Sequence, residues 1–278
     1  MTPALRQALR ALLPLTCALA LLSSGTACAK KTTAPAAPVL VWQDEFDGPA
    51  GQSPDSSKWG FDIGTGWGNN QLEYDTPRPE NASLDGQGHL VITARKESWN
   101  GQNYTSARMN TLGHFARTGG RFEARMRMPS GQGMWPAFWL LGSDFATTGW
   151  PGCGEIDVME YRGQENTVLH GSLHGPGYSG GGALTSVINV PGAPMDSVFH
   201  VYSVDWSPTK LTWAVDGTTY FTVTPHDVPS GAQWVFTHPF FVILDLAVGG
   251  GFVGSPNAST TFPQQLIVDY VRVYSLGS

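Results

Sequence analysis

Short apolar segments alternate along most of the chain with turns that are rich in Gly, Pro, Asn and Asp. After the N-terminal region, no stretch of a dozen residues has the 3.6-residue period of an amphipathic helix. The segments that predict strands are residues 40–42, 90–94, 122–128, 199–206, 211–215, 220–223, 240–247 and 266–274. Many short strands separated by turns indicate an all-β domain of two packed antiparallel sheets.

Two of these regions show the strand pattern in detail. In residues 121–128, Phe122, Ala124 and Met126 share one face, and the other face carries three arginines and a glutamate. Such alternation is typical of an antiparallel strand with one face in the core and one in solvent. The pair Asp216-Gly217 stands between two strand segments and predicts a tight hairpin turn.

Composition narrows the functional classes. The chain has 278 residues, and we expect one domain over residues 39–278 that is a monomer. Charged residues make up only 14%, the net charge is −6 and there is no basic patch, so nucleic-acid binding is disfavoured. The chain contains 10 Trp, and exposed indole rings are suited to stacking on sugars.

The N-terminal region has the pattern of a targeting segment. Two arginines precede an apolar run over residues 11–22 that is too short to span a bilayer, and small residues follow it. We expect residues 1–29 to be a secretory signal peptide and residues 30–38 to be a linker. Cleavage after Ala29 would release the protein, whereas a lipoprotein-type site would leave Cys28 acylated and attached to the membrane. The expected localisation is therefore secreted or lipid-anchored on the bacterial cell envelope.

The segment 154–161 carries three acidic residues among strand-forming ones. In a regular strand Glu155 and Asp157 face one side and Glu160 faces the other. A single β-bulge at Val158–Met159 would place all three acids in one row. A retaining glycosidase needs two carboxyl groups about 5–5.5 Å apart, one as nucleophile and one as general acid/base. The alternatives are a solvated strand face and a metal site, although no histidine lies within the row.

Residues 155–160, EIDVME, resemble the active-site signature of glycoside hydrolase family 16, in the bulged form of its laminarinase-type members. Other motifs resemble the same family in the same order: VWQDEF at 41–46, GWGNNQLEY at 66–74, YTSAR at 104–108, GQGMWPAFWL at 131–140, LHGSLH at 169–174 and FPQ at 262–264. The resemblance implies a β-jelly-roll sandwich of two antiparallel sheets with a concave substrate cleft. It also implies an enzyme that hydrolyses internal β-linkages of a polysaccharide with retention of configuration.

The resemblance further implies roles for individual residues. Glu155 is implied as the nucleophile, Asp157 as its assistant and Glu160 as the general acid/base. The residues implied to bind substrate are Asn70, Glu73, Arg108, Trp135, Trp139 and His174.

No cofactor is implied for catalysis, but many relatives of this family hold one structural calcium ion. The candidate ligands here are Glu45, the carbonyl of Gly88 and Asp269, because calcium prefers oxygen ligands. The chain departs from the family at Asp245, where Asn is common, and in the loop 251–254, where many relatives carry Trp.

The expected function is retaining endo-hydrolysis of β-1,3-linked glucan such as laminarin. Three alternatives stay open. The chain could be a mixed-linkage β-1,3-1,4-glucanase or another polysaccharide hydrolase of the family, or a transglycosylase, or a non-catalytic β-glucan-binding protein. The presence of both glutamates argues against the last alternative, because relatives that only bind glucan have lost their acids.

Overall fold

The computed structural model describes residues 37–277, which consist mainly of β-strands. The predicted signal peptide, Cys28 and most of the predicted linker lie outside the described residues. The strands are β1 (Val39–Asp44), β2 (Gly60–Asp62), β3 (Glu73–Asp75), β4 (Ala82–Leu84), β5 (Leu90–Ala94), β6 (Tyr104–Ser106), β7 (Arg108–Asn110), β8 (Gly120–Arg127), β9 (Met134–Gly142), β10 (Glu155–Tyr161), β11 (Val168–His174), β12 (Leu184–Asn189), β13 (His200–Ser207), β14 (Lys210–Val215), β15 (Thr218–Val223), β16 (Phe240–Val248) and β17 (Gln264–Ser275). A four-residue helix, α1 (Phe145–Thr148), and a 3₁₀ turn (Gly180–Gly182) lie in the connections. Over this part of the chain, no helix is long and apolar enough to cross a membrane.

Two large antiparallel sheets form the fold and confirm the expected all-β class. The outer sheet has the strand order β15-β14-β13-β8-β17-β5-β4, with β1 also paired to β17. The second sheet, here called the cleft sheet, has the order β12-β11-β10-β9-β16-β7-β2. A small third sheet pairs β3 with β6 in parallel. About half of the neighbouring strand pairs in the large sheets join strands that are distant in sequence, as in a jelly roll.

Apolar side chains between the two large sheets form the core. In β8, Phe122, Ala124 and Met126 are fully buried and the residues between them are partly exposed, which confirms the predicted alternation. Phe138 of β9 and Ile156 of β10 belong to the same buried cluster. One face of the cleft sheet is thus occupied by the core, and its other face is available for a binding site.

The turn between β14 and β15 confirms the predicted hairpin. Asp216 and Gly217 have φ angles of 48° and 75°, both in the left-handed region. Val215 and Thr218 pair directly across the turn, so the loop has two residues. Left-handed conformations at both positions match the right-handed twist of the two strands and explain why Asp-Gly stands here.

Strand β16 is buried along its whole length because it lies between β9 and β7 near the middle of the cleft sheet. A strand buried on both faces has a nearly continuous apolar sequence. Asp245 is the one charged residue in β16, and only 7% of it is exposed. A carboxyl group at this position has to find polar partners, and it finds them in the cleft.

Candidate active site

Strand β10 contains the predicted bulge. Opposite β11, Asp157 pairs with Ser172, whereas Glu160 pairs with His170. Three steps along β10 are therefore matched by two steps along β11, and the register against β9 shifts at the same place. The extra residue reverses the parity of the strand, so Glu155, Asp157 and Glu160 face the same side.

The three acids lie on the floor of a cleft of about 720 Å³. The floor is formed by side chains from six neighbouring strands, β7, β16, β9, β10, β11 and β12, and the walls are formed by loops. Six strands spaced about 4.8 Å apart extend over about 24 Å, which is long for a site that holds a single small molecule. The side chains at the centre of the floor are Ala137, Trp139, Glu155, Asp157, Glu160, His170 and Ser172.

Two tryptophans and an arginine form a platform on one side of the acidic row. The guanidinium carbon of Arg108 lies 4.8 Å from the ring centre of Trp139 and 5.1 Å from that of Trp67. Each indole N–H is held by a carboxylate: Trp139 donates to Asp245 at 2.7 Å, and Trp67 donates to Asp75 at 2.8 Å. These hydrogen bonds fix the ring planes, so the platform is pre-organised for stacking.

Burial dominates the electrostatics of the acidic row. Desolvation, together with repulsion from neighbouring carboxylates, raises the pKa of Glu155, Asp157 and Glu160 to about 8 each. The Trp135 indole N–H donates to Glu160 at 3.1 Å and acts in the opposite direction on the pKa of that glutamate. At neutral pH the row therefore retains protons, so one carboxyl can act as an acid while another acts as a nucleophile.

The family model described as glycosyl hydrolases family 16 matches residues 70–272, which include the whole acidic row. The chain belongs to glycoside hydrolase family 16. It is 43% identical over 247 residues to a β-glucanase of Rhodothermus marinus, and the alignment covers 84% of both proteins. The protein is therefore a glycoside hydrolase.

Solved structures of family 16 enzymes have the same fold. The endo-β-1,3-glucanase of Pyrococcus furiosus superposes with a TM-score of 0.81 at 44% identity, covering 87% of this chain and 95% of that chain. A non-specific endo-β-1,3(4)-glucanase with 1,3-β-D-cellobiosyl-glucose at its active site superposes with a TM-score of 0.76 at 37% identity. That match covers 87% of this chain and 100% of the other.

The predicted substrate-binding residues of this family 16 enzyme are divided in space. Arg108, Trp135, Trp139 and His174 line the cleft. They are brought together from β7, β9 and β11, so their proximity depends on the pairing of strands that are distant in sequence. Their contacts with a sugar stay predictions.

Glu73 and Asn70 are not among the side chains that line the cleft, and their role in substrate binding stays a prediction. Glu73 is 1% exposed, and its carboxylate accepts a hydrogen bond from the Val248 N–H at 2.7 Å. Burial raises the pKa of Glu73 to about 7, and the side chain fastens the end of β16. Asn69 and Asn70 both have left-handed φ angles, of 52° and 59°, and Asn69 contributes to the cleft wall.

Several residues that line the cleft were not predicted from the sequence. His170 has a visible signal, because it precedes His174 by four residues in a strand and therefore shares its face. Trp67, Trp150 and Phe252 also line the cleft, but they come from loops. Their arrangement depends on how the loops fold back over the sheet, and no local pattern predicts it.

His174 lies beside the Glu155 end of the acidic row. Its Nε2 atom is 2.9 Å from Asp157 Oδ2 and 3.6 Å from Glu155 Oε1. Its Nδ1 atom accepts a hydrogen bond from the Gly180 N–H at 3.1 Å. The imidazole thus lines the cleft and also lies close to the carboxylates of Asp157 and Glu155.

The side chains predicted as calcium ligands are engaged elsewhere. The Glu45 carboxylate accepts two hydrogen bonds from Arg272, at 2.8 and 2.7 Å, and Asp269 is paired with Arg125. A carboxylate that is neutralised by an arginine is a poor ligand for a cation, so these two acids do not fit a shared calcium site. Calcium binding, with or without the Gly88 carbonyl, stays a prediction that rests on the resemblance.

Proposed function

We propose that this glycoside hydrolase cleaves internal bonds of β-1,3-linked glucan with retention of configuration. The observation that carries the proposal is the row of Glu155, Asp157 and Glu160, which the bulge of β10 brings onto the floor of a long cleft. The choice of glucan is supported by the relatives named β-glucanase and endo-β-1,3-glucanase.

In the proposed reaction, two carboxyl groups act in two steps. Glu155 attacks the anomeric carbon while Glu160 gives its proton to the departing glycosidic oxygen, so the glycosidic bond breaks and a glycosyl ester forms on Glu155. A water molecule then attacks the same carbon and transfers a proton to Glu160, which restores both groups. Asp157 lies between them and shares the charge of the row, which keeps the pKa of the acid high enough for proton donation.

The shape of the cleft supports cleavage within a chain. Floor residues come from both sides of β10, with Arg108 and Trp139 on one side and Ser172 and Thr185 on the other. A polysaccharide can therefore lie across the acidic row with sugar units on both sides. Stacking on the indole rings fits the apolar faces of glucose better than a charged polymer.

Mixed-linkage β-1,3-1,4-glucan is a second candidate substrate. It is favoured by the similarity to a non-specific endo-β-1,3(4)-glucanase that was co-crystallised with 1,3-β-D-cellotriosyl-glucose. We propose that this polymer is cleaved more slowly than laminarin.

A reducing-sugar assay with product analysis tests the proposal. Laminarin, lichenan, agarose and carrageenan are compared, and Glu155→Gln is the inactive control. The expected result is a ladder of oligosaccharides from laminarin, a slower ladder from lichenan and no products from the galactans. Release of glucose alone from chain ends, or a preference for a galactan, would contradict the proposal. Products longer than the substrate would instead indicate transglycosylation.

We also propose that the protein is exported and acts as a monomer at the cell envelope. The support is the signal-peptide pattern of residues 1–29 and the Cys28 position, both outside the described residues. A lipid on Cys28, followed by the linker to Pro38, would leave the catalytic domain free to reach polymers outside the cell.

A further inference from the structure

A line of directly paired residues crosses the cleft sheet and connects Asp245 with the acidic row. Asp245 of β16 pairs with Ala137 of β9, and Ala137 pairs with Glu160 of β10. On its other side, Asp245 pairs with Arg108 of β7. Directly paired residues of antiparallel strands point to the same face of a sheet, and these four residues all line the cleft. Asp245 therefore faces Glu160 across a single residue, an alanine.

The two carboxyl groups are close enough for their charges to interact. Two strand spacings separate their backbones, which is about 10 Å. The methyl group of Ala137 between them carries no charge and makes no hydrogen bond. At this separation, in a poorly solvated site, an ionised carboxylate favours the protonated form of the other. Burial raises the pKa of Glu160 most, and repulsion from Asp157 and Asp245 adds to it.

The hydrogen bond that Asp245 accepts does not by itself require an acid at this position. The Trp139 indole N–H donates to Asp245 Oδ1 at 2.7 Å. The amide oxygen of an asparagine would accept the same bond, without placing an ionisable group where only 7% of the residue is exposed. The carboxyl group therefore supplies something that the hydrogen bond does not use, which is its charge.

The charge of Asp245 is not cancelled by an ion pair. Within residues 37–277, no cationic side chain forms a salt bridge with Asp245, and the neighbouring Arg108 pairs with Asp62 at 2.9 Å. Burial raises the pKa of Asp245 to about 6, while Arg108 and the Trp139 N–H act in the opposite direction. Asp245 is thus mostly ionised at neutral pH. The other titratable groups that interact with it are acids: Asp62 of β2, Glu73 and Asp75 of β3, and Asp157 and Glu160 of β10.

We propose that Asp245 is a positioning residue whose carboxylate holds the Trp139 ring and whose negative charge keeps the proton on Glu160 until the glycosidic oxygen takes it. This charge opposes the Trp135 indole N–H, which donates to Glu160 at 3.1 Å and favours the ionised glutamate. Asp245 acts through its two neighbours and not on the reacting atoms. The kinetic consequence rests on the proposed function.

Two substitutions separate the charge of Asp245 from its hydrogen bond. Asp245→Asn removes the charge and keeps an acceptor for Trp139, whereas Asp245→Ala removes both. The basic limb of the pH profile of kcat/KM reports loss of the proton from the general acid. We expect this limb to move to lower pH by about one unit in both variants, because Glu160 then loses its proton more easily. Only Asp245→Ala should also raise KM, since the Trp139 ring is then released.

The control is Asp227→Asn, which removes one negative charge from an exposed side chain outside the cleft lining. It should leave both limbs of the profile in place. A basic limb that Asp245→Asn does not move would overturn the proposal, even if KM rises, since Asp245 would then only hold Trp139.

The proton on Glu160 can also be followed without substrate. In protein labelled with ¹³C at the glutamate carboxyl groups, the Glu160 signal is assigned by its absence from the Glu160→Gln variant. Its titration midpoint should be about one pH unit lower in Asp245→Asn than in the wild type. Equal midpoints would refute the proposal whether or not the enzyme cleaves laminarin. A lowered midpoint in a protein that does not cleave laminarin would support the proposal and contradict only the proposed function.

A last measurement needs no substitution of Asp245. The indole N–H signal of Trp139, assigned by its absence from the Trp139→Phe variant, should shift in the wild type with a midpoint near pH 6 as its acceptor ionises. An indole signal that does not titrate between pH 4 and pH 8 would mean that Asp245 does not gain its charge there, and would overturn the proposal.

Discussion

The two glutamates of the row have different immediate partners. Glu160 accepts a hydrogen bond from Trp135, whereas Glu155 lies beside Asp157 and His174. Burial raises the pKa of both glutamates to about 8, so their pKa values do not distinguish the nucleophile from the general acid. The neighbours at each end of the row have to make that distinction, and substitution of each glutamate in turn can reveal it.

We expect Glu155→Ala and Glu160→Ala to give products of opposite configuration with azide. With an activated aryl β-glycoside, Glu160→Ala should still form the glycosyl ester, because the leaving group needs little protonation. Azide then attacks the ester without a base and gives the β-azide. In Glu155→Ala, azide occupies the vacated space and attacks directly, which gives the α-azide. Product configuration is measured by NMR.

The same pair of variants can contradict the assignment. If Glu155→Ala gives the β-azide and Glu160→Ala the α-azide, the two roles are exchanged. If both variants keep most of the activity on laminarin, the acidic row is structural and the proposed reaction is wrong.

At the scale of the element, local backbone geometry determines which way the side chains of a strand point and how neighbouring strands pair. The bulge of β10 turns Glu160 toward the cleft, and the Asp216-Gly217 turn sets the register of β14 against β15 in the outer sheet. The bulge affects chemistry directly, whereas the hairpin affects only the stability of the sheet behind the core. Substitution in the hairpin should therefore separate stability from activity.

We expect Gly217→Ala to lower the free energy of unfolding by about 1 kcal/mol, because Ala resists the left-handed φ of 75° found here. Chemical denaturation measures the change. Gly217→Asn is the matched control and should lose less, since Asn adopts this conformation more readily. The kcat of both variants should equal that of the wild type; a large loss of kcat would mean that the hairpin is coupled to the cleft.

At the scale of the whole molecule, the cleft places several ionisable groups in a poorly solvated site. Glu155, Asp157 and Glu160 have pKa values raised to about 8, and that of Asp245 is raised to about 6. At pH values between the pKa of these groups in the unfolded chain and their higher pKa in the folded protein, the folded protein binds more protons than the unfolded chain. Stability gained from these protons is therefore present at low pH and is lost as the pH rises.

We expect the free energy of unfolding to fall by on the order of 2–5 kcal/mol as the pH rises from about 5 to about 8. Urea denaturation at a series of pH values measures this slope. Glu155→Gln should reduce the fall, because the amide does not ionise. Asp227→Asn should not reduce it, since hydrogen bonds from Thr224 lower the pKa of Asp227 instead. A slope that Glu155→Gln leaves unchanged would place the source outside the row.

A lipid on Cys28 would attach the whole protein to the membrane. If Cys28 is acylated, the protein should partition into detergent, and Cys28→Ala should move it to the aqueous phase because the acyl chain is lost. Phase separation followed by immunoblotting measures the distribution. Mature protein that begins at Lys30 would refute the lipid anchor, since cleavage would then follow Ala29.

Residues close in sequence determined much of what could be known about this protein in advance. The alternation of β8, the Asp216-Gly217 turn and the shared face of Glu155 and Asp157 are local patterns, because strand geometry repeats every two residues. Glu160 joins that face only through the bulge. The resemblance of its motifs to those of glycoside hydrolase family 16 additionally predicted the family, the fold class and four residues that line the cleft.

Tertiary structure decided the contacts between distant strands and loops. The burial of Glu73 depends on the end of β16, some 175 residues away, and the Trp139–Asp245 bond depends on the pairing of β9 with β16. The hydrogen bond from the Gly180 N–H to His174 Nδ1 depends on the path of the Gly180 loop. Such contacts are set by sheet order and loop closure, which combine many weak interactions over the whole chain, so no local pattern in the sequence encodes them.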